Sequence, residues 1–258
     1  KAANAALLTR LPDVGELFRE RVPADPTALL QARKRVQSAL ASALSDEASA
    51  ILSQPAPTPF APDAAQSGER ALRAAMIVLM GARQDPAANA RLKLVFDDAT
   101  NMTESLASLR ALCQSDSPQK QAALEAFAHR WKDNPLVMDK WFAVQAGAGT
   151  CSDIERLIAR KDFELTNPNR VRAVIGVFAM QNLSSFHAPD GLGYKLVTDM
   201  VEQIDAMNPA LAARLMTAFE PWKSLEPRAR GAAEASLKAL RDKDLSKNAS
   251  DIISRTLG

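Results

Sequence analysis

The chain has 258 residues, 47% of them hydrophobic, enough to bury a substantial core in one large or two small domains. Its 32 basic and 30 acidic residues are interspersed, with Arg33-Lys34-Arg35 the densest basic run, so no concentrated patch for nucleic-acid phosphates is present. The longest apolar window, Ala71 to Met80, is interrupted by Arg73 and falls far short of the roughly 20 residues of a membrane span.

In chain order, seven prolines open apolar-periodic runs: Pro26, Pro86, Pro118, Pro135, Pro168, Pro209 and Pro227. Proline suits the first helical position, where its missing N–H would have no partner. The preceding Asp25, Asp85, Ser117, Asn134, Asn167 and Asn208 can cap free amides, and Glu226 is the one poor cap. Ser53 to Gly68, with Pro55, Pro57, Pro59 and Pro62, is the proline-rich exception and reads as an extended loop inside the domain. Leu124, Phe127 and Trp131 then repeat at helical spacing, as do Val171, Val174, Ile175 and Phe178. The same spacing carries Leu196, Val197, Met200, Val201 and Ile204, and also Leu211, Leu215 and Phe219. No stretch alternates in the manner of a strand. The expected fold is all-α: an irregular α-solenoid of antiparallel helix pairs, a HEAT/armadillo-like superhelix over residues 1–258.

Recognisable catalytic chemistry is missing from the pattern. His129 and His187 lie far apart, with no H-E-x-x-H; His129 is expected to be a partly buried structural histidine and His187 to fix its loop by hydrogen bonding. Asp97-Asp98 resembles half of a magnesium-binding aspartate motif, but no second motif accompanies it, and a solvated helix end explains it more simply. Serine elbows, P-loops and dinucleotide fingerprints are absent. Cys113 and Cys151 show no metal-type spacing and are expected to be reduced thiols in a cytoplasmic protein without a signal peptide. Lys1 in place of an initiator methionine fits a fragment of a longer chain and equally the removal of a tag. Trp141 and Phe142 are expected to anchor neighbouring helices, and Gly191 and Gly193 to permit backbone angles beside Tyr194.

Six stretches occur in one order: NMTESL at 101–106, HRW at 129–131, LVMDKWF at 136–142, NPNRVR at 167–172, FHAPDGLGY at 186–194 and NPALAARL at 208–215. Together they resemble the C-terminal helical domain of bacterial aminopeptidase N, the alanyl aminopeptidase of the thermolysin-like zinc exopeptidases. The resemblance implies a larger cytoplasmic enzyme that removes N-terminal residues from peptides. In that family, H-E-x-x-H with a downstream glutamate holds zinc and a G-x-M-E-N loop binds the substrate amine; this chain has neither, so both would belong to an upstream catalytic domain of the same polypeptide. The resemblance further implies a noncatalytic domain that encloses the active-site chamber and gates peptide access, with peptide substrates as partners. Arg172 lies about 100° round the helix from Val171, off the apolar stripe, and Arg214 stands likewise beside Leu211 and Leu215. By resemblance, these two are the substrate-channel candidates. The alternative reading is a free-standing helical-repeat scaffold that binds another protein.

Overall fold

The computed structural model describes residues 1–258, and its regular structure is helical throughout. In chain order come α1 (Ala2–Leu8), α2 (Val14–Glu20), α3 (Pro26–Ala43), α4 (Ser45–Ser53), α5 (Ala64–Ala82), α6 (Pro86–Asp97) and α7 (Met102–Cys113). Next are α8 (Gln119–Trp131), α9 (Pro135–Ala146), α10 (Cys151–Ile158) and α11 (Pro168–Val171), which passes through a π-helical turn, Arg172–Gly176, into α12 (Val177–Gln181). Then follow α13 (Leu183–Phe186), α14 (Leu192–Asp205), α15 (Pro209–Leu215), a 3-10 stretch (Met216–Ser224), α16 (Pro227–Arg241) and α17 (Lys247–Leu257). The expected starts at Pro26, Pro86, Pro135, Pro168, Pro209 and Pro227 are observed; α8 opens one residue late, with Pro118 itself at the cap.

Two compact units form, one from Lys1–Pro12 with Ala32–Val144 and the other from Asp13–Gln31 with Gln145–Gly258. In the first, α5 packs against α1, α4 and α7 around Ile77, Leu92, Leu109 and Leu112. Trp141 and Phe142 are buried as expected, with Trp141 Nε1 donating to the Leu124 carbonyl at 2.9 Å. The proline-rich loop is shorter than Ser53 to Gly68. Ser53 ends α4, and Asp63 accepts from the Gln66 amide at 2.8 Å, so Ala64 onward is helical. Two arginines of α5 hold what remains. Arg70 donates to the Ala61 carbonyl at 3.1 Å with its guanidinium over the Phe60 ring, and Arg73 Nη1 donates to the carbonyls of Ile51 and Gln54. The loop carbonyls of Gln54 and Ala61 thereby gain side-chain donors, as does the Ile51 carbonyl, which also accepts from the Gln54 amide at 3.3 Å.

In the second unit, α14 buries Leu196, Val197, Met200, Val201 and Ile204 against α15 and α16. Asp205, itself buried, accepts from the amide and hydroxyl of Ser246 and so ties the end of α14 to the start of α17. Three expectations need correction here. Glu226 is an effective cap, its carboxylate accepting from the amides of Arg228 and Ala229, because its longer side chain folds back over the first turn. Leu211, Leu215 and Phe219 are all buried but not on one α-helix: Pro221, with no N–H to give, lies in a 3-10 stretch that takes over at Met216. Gly191 has the left-handed φ of 72° expected of it, but Gly193 is required by space, since a Cβ there would lie 2.4 Å from the carbonyl oxygens of Ser185 and Phe186.

Candidate functional site

The segment that carries Arg172 begins at Asn167, whose side-chain oxygen accepts from the amides of Asn169 and Arg170 at 3.0 and 3.3 Å, with Pro168 at the first helical position. Val171, Val174, Ile175 and Phe178 are buried, as their spacing predicts. The helix does not stay α, however. Between Arg172 and Gly176 it widens into a π turn, an irregularity that tends to persist where function or packing requires it.

The two arginines of this segment have opposite environments. Arg170 is only 7% exposed, and its guanidinium donates to the backbone carbonyl of Asp162. The Asp162 carboxylate is itself gripped by Arg160 at 2.8 Å through both oxygens; those hydrogen bonds hold its pKa below the usual carboxylate range against the opposing effect of burial. Arg172 is exposed, and its one side-chain partner is the neutral Asn169 amide oxygen at 3.2 Å.

Arg214 stands on α15, which Asn208 opens by accepting from the Leu211 amide at 3.0 Å. Leu211 and Leu215 point into the core and leave Arg214 exposed, with no ion pair. Gly176 marks where the two arginine-bearing elements meet: a Cβ built on it would stand at ordinary contact distance, 3.8 Å, from Leu215 Cδ2. The π turn and the end of α15 therefore adjoin, and two guanidiniums that no carboxylate neutralises rise from neighbouring elements. Such groups are suited to a carboxylate or to peptide carbonyls, which accept their hydrogen bonds in a planar fork. The sequence marked both arginines through their position off the apolar stripe. It did not mark the contact between Gly176 and Leu215, two residues far apart in the chain.

The other candidates serve the framework. His187 is buried with its Nδ1 2.7 Å from the Tyr194 hydroxyl and with edge-on contacts to Phe18 and Phe186, so it fixes its loop. Burial lowers its pKa to about 4 and, with a smaller contribution from the Glu226 charge, raises that of Tyr194. His129 is exposed, not partly buried: on α8 it is Phe127 that turns inward, and His129 lines an open groove with Asp97, Glu125 and Arg130. Asp97 is the last residue of α6, ion-paired with Lys93 at 2.6 Å, and Asp98 follows it as the C-cap, the plain helix end that the lone motif suggested. Cys113 is buried, which pushes its thiol up to about 12, and Cys151 is partly exposed; neither is in a disulfide. No three histidine, cysteine, aspartate or glutamate side chains converge as a metal-ligand set. No helix is long and apolar enough to cross a membrane.

A family model described as "Domain of unknown function (DUF3458_C) ARM repeats" matches residues 1–258. The chain is 38% identical over 263 residues to Aminopeptidase N of Caulobacter vibrioides, covering 99% of this chain and 30% of that protein. It is 31% identical over 242 residues to Aminopeptidase N of Escherichia coli, covering 93% of this chain and 28% of that protein. A crystal structure of Legionella pneumophila aminopeptidase A in complex with aspartic acid aligns with a TM-score of 0.85 at 30% identity, over 98% of this chain and 31% of that one. The chain thus spans 28–30% of the length of these two curated relatives.

Proposed function

The chain belongs to the DUF3458_C family of ARM repeats, the C-terminal domain of aminopeptidase N, and from that premise we propose that it encloses the active-site chamber of a zinc aminopeptidase and gates peptide access to it. The longer enzyme would remove N-terminal residues from peptides, with catalysis in a domain upstream of Lys1. Zinc finds no ligand set here: His129 is exposed on α8, and His187 is committed to Tyr194 in a buried loop, so the ion would be held outside these 258 residues. The proposed compartment is the cytoplasm, a reading supported by two cysteines that remain free thiols.

One observation carries the role in substrate handling: Arg172 and Arg214 are both exposed, both without a carboxylate partner, and borne on elements that meet at Gly176. Facing the chamber, this pair would receive the carboxylate end of a peptide whose N-terminus lies at the zinc. An extended chain could enter such a space, whereas a folded domain would be excluded by its size.

The test is kinetic, in the full-length polypeptide. Arg172→Ala and Arg214→Ala are expected to lower kcat/KM for free-acid peptides by about ten- to a hundredfold, the worth of hydrogen bonds to a charged group, and to leave C-terminally amidated peptides nearly unaffected. Equal losses on acids and amides, or no loss on either, would return both arginines to the solvated surface. A gene with no catalytic region ahead of Lys1 would instead make the chain a free-standing scaffold.

A further inference from the structure

The first unit contains an apolar groove that its own residues do not fill. Leu7, Leu11, Ala75, Val78 and Leu79 line it, between α1, α3 and α5, and its volume is about 410 Å³. α1 buries none of its residues: Leu7 is 63% exposed and Leu8, next to it, 87%. Val78 is 49% exposed near the C-terminal end of α5, where Met76, Ile77, Leu79 and Met80 around it are buried. The charged lining is entirely basic, from Arg10 and Arg33, and neither forms an ion pair; Lys34 and Arg35 extend the positive charge along α3. The exposed leucine and valine surface is unfavourable in water, and an apolar patch rimmed by charge is the pattern of a docking surface; Arg33 spends one donor on the Pro12 carbonyl, at 3.2 Å, and neither arginine meets a carboxylate.

We infer that this groove is the seat of a segment of the same polypeptide preceding Lys1, an apolar stretch flanked by acidic residues. The inference rests on the reading of the chain as part of a longer enzyme. Three observations select this occupant. The matched region makes up only 28–31% of the length of the relatives, so most of a relative lies outside it. Ala3, Ala6 and Leu7 of the first helix form one wall, so a segment arriving from upstream is delivered within a turn of the groove, and a short tether gives it an effective concentration that a separate protein rarely matches. The absence of any lining carboxylate favours an occupant that brings negative charge to Arg10 and Arg33.

The experiment compares thiol accessibility in the 258-residue chain and in the full-length polypeptide, with Cys151→Ser removing the partly exposed native thiol and Val78→Cys as the reporter. Leu7→Cys on α1 is a second reporter. The introduced thiols are expected to react with maleimide about tenfold or more slowly in the full-length polypeptide, and Arg10→Glu with Arg33→Glu is expected to restore much of the rate. Equal rates in the two polypeptides would overturn the inference. Protection in the 258-residue chain alone that disappears on dilution would overturn it in favour of a second copy, and protection there that is independent of concentration would show the groove already closed. A reading frame that begins near Lys1 would defeat the parent reading instead, before any labelling is done.

Discussion

Arg73 and Glu104, thirty-one residues apart in sequence, meet at 2.9 Å through Nε and at 2.8 Å through Nη2, with Glu104 only 1% exposed. The same guanidinium also serves the carbonyls of Ile51 and Gln54. Arg73→Met therefore strands a buried carboxylate and releases the neighbouring loop, and a loss of about 3–5 kcal/mol is expected in urea unfolding. Arg73→Met with Glu104→Met should recover part of that loss, and protease cleavage between Gln54 and Asp63 should rise in the single variant.

His187 gives the fold a defined acid sensitivity. Its pKa is lowered from 6.5 to about 4 by burial, so below pH 6.5 the unfolded chain binds a proton that the folded chain refuses. Stability should fall as the pH drops from about 6.5 to about 4, by about 3 kcal/mol from this residue, and level off below. His187→Gln keeps a polar partner for Tyr194 and should remove that slope, as judged by the difference between the two unfolding profiles across the pH range.

Three glycines should respond differently to alanine. Gly193→Ala forces a Cβ to 2.4 Å from two carbonyl oxygens and should cost several kcal/mol, about 4 or more, because backbone must move. Gly191→Ala meets the left-handed backbone, about 1–2 kcal/mol, and a tight but yielding contact of 3.3 Å with the Ala232 Cβ. At Gly176 the dihedrals are helical and the nearest atoms stand 3.8 Å away, so Gly176→Ala should stabilise by up to about 1 kcal/mol. Thermal unfolding of the three variants checks the order.

Arg170→Ala and Arg172→Ala should separate cleanly. The first leaves the Asp162 carbonyl without its buried donor and should destabilise by about 2 kcal/mol. The second removes an exposed side chain with one neutral partner and should change stability by less than about 0.5 kcal/mol. Similar melting temperatures for both would contradict the division of labour between them.

These two arginines also show how far the sequence is legible. Helix starts were readable because a cap and a proline act within four residues, as at Asn167-Pro168 and Asn208-Pro209. The apolar stripes were readable because periodicity is local, and Val171, Val174, Ile175 and Phe178 are all buried. Whether a long polar side chain goes inward depends on acceptors that other segments offer. Arg170 and Arg172 look alike in sequence, yet only the first finds the Asp162 carbonyl. The grip of Arg70 and Arg73 on the proline-rich loop was hidden for the same reason, as was the meeting of Gly176 with Leu215.

The π turn at Arg172–Gly176 sets a direction as well as a contact. One residue more than an α-turn needs is absorbed there, and each residue of a helix corresponds to about 100° of rotation. Everything N-terminal to the turn is thus swung relative to the stripe that continues through Phe178. Deleting a single residue from this turn would leave the core contacts of α12 in place and aim the guanidinium of Arg172 at a different sector of space. Chain length at this one point would then act as a dial on what the arginine faces, with no change to its chemistry.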